Sequence, residues 1–254
     1  MQLGLGLIEI GRPWGAGWTG LPTEGEVERL LETAMEEGVT FWDTASSYGC
    51  SEERIGRFLR SRPGLLERVT LATKFGDVWA PGMEESYGDH SYEGLARSLD
   101  RSLTLLPRID LLQVHRATEE ALRREDVYRA LELARRRGVA GFGASVKTME
   151  AARIAVESGW FQWLQIPYNP LRQEMAPVFE LARERGIRLL VNRPFAEGAL
   201  LMDAAGRPVE SREARRKAFE FIRRQAFEGF VLVGTKSAAH LRDNTRQWRE
   251  LEGA

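Results

Sequence analysis

The sequence predicts an α/β fold, a single (β/α)8 (TIM) barrel domain over residues 1–254. Three observations predict it. Eight short aliphatic or β-branched runs alternate with eight amphipathic stretches, the pattern of βα units around a parallel sheet. No linker, low-complexity tract or charge block divides the chain. A doubly wound sheet, the competing architecture, carries a glycine-rich dinucleotide fingerprint after its first strand. Here Gly4-Leu5-Gly6 is followed by Glu9 where the third glycine is required.

The elements follow in order. A first strand at 3–8 leads to a helix at 24–37, whose start pairs Thr23 with Glu26 as a capping box. The strand at 39–44 feeds a helix at 51–60, with Ser51 as its cap and Arg54 where the box would have an acid. Strand 69–74 leads to helix 92–106 behind Ser91, and strand 109–115 to helix 119–137. Strand 140–145 precedes helix 148–157, and strand 163–166 precedes helix 175–185. Strands 188–192 and 229–233 feed helices 212–223 and 238–249, with Ser211 and Ser237 as caps. Gly38, Gly138, Gly159 and Gly186 follow helix ends and suit the left-handed C′ position. Three of them precede a strand by only a residue or two, the tight αβ turn of a compact barrel.

Composition narrows the function. With 36 basic against 37 acidic residues the net charge is -1, and no basic block stands free of acidic neighbours, so no nucleic-acid partner is expected. No run approaches the ~20 apolar residues of a membrane span. The amino terminus lacks a basic n-region and its apolar run is broken by Glu9, so no signal peptide is read. Cys50 is the lone cysteine, and His90, His115 and His240 lack metal-ligand spacing, so no disulfide or metal site is expected. These features predict a cytoplasmic protein and assign no oligomeric state.

In a barrel of this kind chemistry sits at the C-terminal ends of the strands. The second strand ends Phe41-Trp42-Asp43-Thr44, with Tyr48 in the loop beyond; the third ends Ala72-Thr73-Lys74, and the fourth Gln113-Val114-His115. Neighbouring strands lie about 4.8 Å apart, so Asp43, Lys74 and His115 reach one rim beside Tyr48. The chain has only four lysines among its 36 basic residues, which makes a lysine at a strand end informative. An ammonium stabilises a phenolate, so Lys74 is expected to lower the Tyr48 pKa and make it a proton donor. Asp43 would hold the ammonium charged, and His115 would donate to a substrate oxygen or exchange a proton with Tyr48. No side chain supplies hydride, so carbonyl reduction at this rim requires a cofactor.

The run Phe41-Trp42-Asp43-Thr44-Ala45-Ser46-Ser47-Tyr48-Gly49-Cys50-Ser51-Glu52-Glu53, followed by Ala72-Thr73-Lys74 and Asp110-Leu111-Leu112-Gln113-Val114-His115, resembles the aldo-keto reductase family. The resemblance runs from the first strand to the last helix. It implies a barrel that takes NADP(H), with NAD also open, and reduces small carbonyl compounds through a tetrad of Tyr48, Asp43, Lys74 and His115. It further implies that Gln165 and Ser145 hold the nicotinamide amide, although Val146 stands where an asparagine is usual. Asn192 replaces a stacking aromatic, and Arg193 beside it is expected to reach the pyrophosphate.

The segment Gly234-Thr235-Lys236-Ser237-Ala238-Ala239-His240-Leu241-Arg242-Asp243-Asn244 resembles the family's adenosine-phosphate motif. A loop feeding a helix N-terminus suits phosphate. His240 stands where an arginine often binds the 2′-phosphate, and Asp243 and Asn244 match the adenine contacts. The first strand also departs from the family, with Gly6-Leu7-Ile8 where Gly-Thr-Trp is common.

Trp79, Pro81, Tyr87 and His90 in the 75–91 loop, with Trp14 and Trp18, are expected to wall the pocket. Two alternatives share the architecture: a Schiff-base aldolase using Lys74, and a non-catalytic or weakly catalytic NADP-binding sensor or auxiliary protein. At 254 residues the chain resembles a short form of the family without its long C-terminal loop, which predicts a more open pocket.

Overall fold

The computed structural model describes residues 1–16, 18–203 and 212–252. Eight parallel strands close a barrel in sequence order: Gln2–Gly6, Phe41–Asp43, Thr70–Phe75, Leu111–Val114, Gly141–Ser145, Trp163–Pro167, Arg188–Asn192 and Gly229–Gly234. The first strand pairs with both the second and the eighth, which shuts the ring.

Strand side chains alternate between the barrel interior and the helical layer. Phe41, Ala72, Leu111, Trp163, Leu190 and Leu232 meet inside and form an apolar plug. Two residues further along, the same inward faces carry Asp43, Lys74, Gln113, Gln165, Asn192 and Gly234. A period of two thus puts a layer of polar groups directly above a dry floor. Glycines make room for the plug: a Cβ on Gly4 would come 2.8 Å from a methyl of Leu232, and one on Gly143 would lie 3.2 Å from Trp163.

The outward faces pack on helices whose apolar residues recur at helical spacing. In the helix Glu24–Glu36 these are Val27, Leu30, Leu31 and Ala34. The capping box is present, with Thr23 Oγ1 accepting from the Glu26 amide and Glu26 Oε2 accepting from the Thr23 amide at 2.7 Å. Ser91 and Ser237 also cap their helices. Gly38, Gly138, Gly159 and Gly186 all have positive φ, as C′ residues should. The cap assigned to Ser211 lies outside the described residues.

Several elements differ from the sequence reading. The first strand stops at Gly6, and Ile8–Ile10 turn into a 3-10 helix that starts the first loop. Ser51 does not cap its helix. It sits inside the first turn, accepts from Thr44 Oγ1 at 2.9 Å and donates to the Leu7 carbonyl at 2.8 Å. The helix expected at 119–137 is two helices, Glu119–Arg123 and Glu125–Arg136, because Arg124 is extended at φ -79, ψ 128. The Leu122 carbonyl accepts at the break from Tyr128 Oη at 2.5 Å. The 75–91 loop holds a short antiparallel hairpin of Asp77–Val78 and Tyr87–Gly88. No helix among the described residues is long and apolar enough to cross a membrane.

Candidate active site

At the C-terminal mouth of the barrel lies a cavity of about 600 Å³. Asp43, Tyr48 and His115 line it, and Lys74 sits fully buried just behind. The Lys74 ammonium donates to Asp43 Oδ2 at 2.5 Å, to the Thr44 carbonyl at 2.8 Å and to the Tyr48 hydroxyl oxygen at 3.4 Å. An ammonium has three hydrogens, and all three are now placed. The Tyr48 oxygen accepts from Lys74, which leaves its own O–H for the cavity.

Electrostatics follow from this geometry. Burial pulls the Lys74 ammonium down, but Asp43, Tyr48 and their hydrogen bonds together outweigh it and hold the group charged, above its ordinary value. For Tyr48 the balance goes the other way from the expectation. Burial raises the phenol above its ordinary value, and the opposing pull of Lys74 does not overcome it. His115 is pushed well below the usual histidine range, first by burial and then by the charges of Lys74, Arg116, Lys147 and Arg12. Its imidazole is therefore neutral near pH 7. Ser47 Oγ lies 3.4 Å from Nδ1 and Asp77 Oδ2 lies 3.7 Å from it, while Nε2 makes no hydrogen bond among the described residues. The rings of Tyr48 and His115 meet edge to face with centroids 5.8 Å apart.

The opposite side of the cavity is lined by Ser145, Gln165, Asn192, Arg193, Gly234, Thr235, Lys236, Ser237, His240 and Asn244. Gln165 Nε2, Asn192 Oδ1 and Asn244 Oδ1 are buried without a hydrogen-bond partner. Buried amides are normally paired. Three in one wall suit a polar ligand. Val146, where the resemblance expected an amide, is buried and apolar.

Other predicted contacts are engaged within the protein. Asp243 does not line the cavity; it pairs with Arg215 at 2.7 Å, accepts from Gln247 at 2.7 Å and also pairs with Arg246. Lys236 donates to Thr19 Oγ1 at 2.8 Å and to the Gly20 carbonyl at 2.5 Å, with its ammonium 4.3 Å above the Trp18 ring. Arg193 pairs with Glu197 and stacks 5.4 Å from the Trp14 ring. His240 is exposed.

The expected aromatic wall forms only in part. Trp14 lines the cavity, but the 75–91 loop contributes Asp77 and Ser86 rather than its aromatic residues. Trp79 stacks on Arg12, Tyr87 is exposed, and His90 Nε2 lies 2.7 Å from the His115 carbonyl, fixing the strand end from behind.

Gln113, Arg12, Asp77, Lys147 and Glu9 also belong to the site, beyond the residues the sequence predicts. Gln113 donates to Asp43 Oδ1 at 2.8 Å. A glutamine between Leu112 and Val114 in a buried strand was its available signal. Asp77 pairs with Arg116 at 2.6 Å. Glu9 lines the cavity, and burial raises its carboxyl above the ordinary value against the opposing charge of Lys236.

Residues 2–225 match the aldo/keto reductase family model. The chain belongs to the aldo/keto reductase family. It is 32% identical over 206 residues to the aldo-keto reductase str7 of Strobilurus tenacellus, covering 78% of this chain and 59% of that protein. It is 29% identical over 246 residues to the pyridoxal 4-dehydrogenase of Microbacterium luteolum, covering 80% of this chain and 70% of that protein. The chain thus spans about three fifths of the first relative's length. Among solved structures, a putative aldo-keto reductase from Pseudomonas aeruginosa superposes with a TM-score of 0.81 at 29% identity, covering 98% of this chain and 89% of that one. Eight strands in a closed parallel barrel are this family's architecture.

Proposed function

We propose that the chain reduces small aldehydes or ketones to alcohols with a nicotinamide cofactor, NADPH ahead of NADH, and that it does so in the cytoplasm. The observation that carries this reading is the Asp43–Lys74–Tyr48 relay, which leaves one phenolic proton facing a cavity shared with a neutral His115. The unpaired amides of Gln165, Asn192 and Asn244 suit a dinucleotide, with the helix N-terminus at Ser237 suited to its phosphates. When bound, that cofactor supplies the hydride that no side chain can.

The protein's own part is polarisation and proton transfer. His115, when its cavity-facing nitrogen carries the proton, donates to the substrate carbonyl oxygen. Tyr48 gives its proton to the same oxygen as negative charge builds there. A phenol raised by burial holds that proton at neutral pH, and Lys74 stabilises the phenolate left behind. Asp43 keeps Lys74 charged, which also counts against an amine nucleophile of the aldolase type.

The test is Tyr48→Phe. Carbonyl reduction should fall to background while cofactor affinity stays near that of the parent chain. Substantial turnover in the variant would remove Tyr48 as proton donor.

A further inference from the structure

We propose that the preferred substrates carry a carboxylate, received by Arg12 and Lys147 at the end of the cavity next to Tyr48 and His115. This inference rests on the carbonyl-reductase reading and names its substrate class.

Arg12 is an unusual residue for a cavity wall. Its side chain is buried, 8% of the residue being exposed, and among the described residues no carboxylate lies within ion-pair distance of it. One Nη donates to the Ser47 carbonyl at 3.1 Å, and Nε has no partner. Stacking holds the guanidinium in place, 4.7 Å from the Trp79 ring and 5.9 Å from the Trp14 ring. Charged groups are rarely fully buried without a counterion. Trp79 and Trp14 flank the guanidinium, whose planar fork of donors matches a carboxylate.

The surroundings have the same sign. Arg12, Arg116 and Lys147 all line this end, and the carboxylate that acts on all three is Asp77. Asp77 is already committed to Arg116 at 2.6 Å. Lys147 has no ion pair among the described residues, and its ammonium is held below its ordinary value by partial burial and by Arg193, Arg116 and Arg172. A substrate anion would relieve that repulsion. The distance to the chemistry is short: Arg12 holds the carbonyl of Ser47, and the Ser47 hydroxyl lies 3.4 Å from His115 Nδ1. A carboxylate on Arg12 therefore belongs to a molecule only a few atoms long between anion and carbonyl.

The experiment compares 4-oxobutanoate with pentanal, its uncharged counterpart, in the full chain with NADPH. The parent chain should show a kcat/KM for the acid at least tenfold above that for pentanal. Arg12→Gln and Lys147→Gln should each lower this ratio at least tenfold, mostly through KM, with partial recovery in Arg12→Lys. Equal ratios in parent and variants would overturn the proposal. Should Arg12→Gln not fold, Lys147→Gln carries the test, since Lys147 is exposed.

A second readout needs no turnover. Butyrate, but not butyramide, should saturably change tryptophan fluorescence, because Trp14 and Trp79 flank Arg12. If pentanal is reduced but butyrate does not bind, the carboxylate site fails and the reductase reading stands. If butyrate binds through Arg12 but neither aldehyde is reduced, the reductase reading fails and the anion site stands.

Discussion

Gln113 and Lys74 divide the carboxylate of Asp43 between them, Gln113 Nε2 on Oδ1 at 2.8 Å and Lys74 Nζ on Oδ2 at 2.5 Å. Each oxygen of a buried acid has its own donor, so the acid cannot rotate and the ammonium it holds stays aimed at Tyr48. Gln113→Ala would leave Oδ1 of the buried Asp43 short of a donor. A buried acceptor left unpaired costs about 1–3 kcal/mol, so thermal stability should drop by that amount. As a positioning residue it should lower kcat about tenfold with little change in cofactor affinity. Unchanged kcat in a stable variant would show that Lys74 alone orients Asp43.

How far this arrangement could be read beforehand follows from the strand period. Asp43, Lys74 and His115 are legible because they lie at or just past strand ends, and the alternation that buries Phe41, Ala72 and Leu111 carries the next inward residues to the mouth. Gln113 obeys the same rule, but a lone amide in an aliphatic strand does not announce what it bonds to. Arg12 was not legible. Its place depends on Trp79, far along the chain in another loop, and no local pattern encodes that stacking. The tie from Lys236 to Thr19 and Gly20 is hidden for the same reason, since it joins the two ends of the sequence.

The pH dependence has two separate windows. His115 has a folded pKa well below the ordinary 6.5, so the folded state binds fewer protons than the unfolded one and stability is lost as pH falls below 6.5. Lys74 and Tyr48 are both raised above their ordinary values of 10.5 and 10.0, so the stability they contribute is complete below those values and is lost as pH rises beyond them. Denaturant midpoints taken from pH 4 to about 11 should fall at both ends. The rate of carbonyl reduction should show no histidine limb near 6.5, because His115 is already neutral there. A limb at 6.5 that disappears in His115→Gln would contradict this.

Glu52 is buried behind the relay, accepting from Thr73 Oγ1 at 2.6 Å and from Ser102 Oγ at 2.7 Å through one oxygen, while the other has no partner. Burial raises its carboxyl above the ordinary 4.5, so its contribution to stability is present below that value and fades as pH rises through the folded pKa. Glu52→Gln keeps an acceptor for the two hydroxyls and removes the buried charge. The variant should match or exceed the parent in stability at pH 8 by about 1 kcal/mol, and its advantage should vanish at pH 4. A variant less stable at pH 8 than at pH 4, relative to the parent, would show that the charge is favourable there.

His240 is exposed on the first turn of the helix Ala238–Glu250, and its amide donates to Ser237 Oγ at 3.3 Å. An arginine there would extend a fixed charge and a bidentate fork toward the cavity mouth. His240→Arg should tighten NADPH about tenfold and leave NADH nearly unchanged, measured by fluorescence titration of both. Equal gains would place the 2′-phosphate away from this helix turn.

The loop after the seventh strand stores strain beside the Asn192 side of the cavity. Arg193, Ala196 and Glu197 have φ values of 57, 51 and 59, where only glycine is at ease. The loop is pinned in this shape: the Glu197 carbonyl accepts from the Ala16 amide at 2.9 Å, and the Glu197 carboxylate pairs with Arg193. A left-handed alanine costs about 1–2 kcal/mol, part of which a glycine would give back through its freer unfolded chain. Ala196→Gly should therefore stabilise the fold by about 0.5–1 kcal/mol, and Ala196→Val should destabilise it by more, since a β-branched side chain is least tolerant of positive φ. Chemical denaturation of both variants decides the matter: a glycine variant less stable than the parent would mean that the loop relaxes out of the left-handed region in solution.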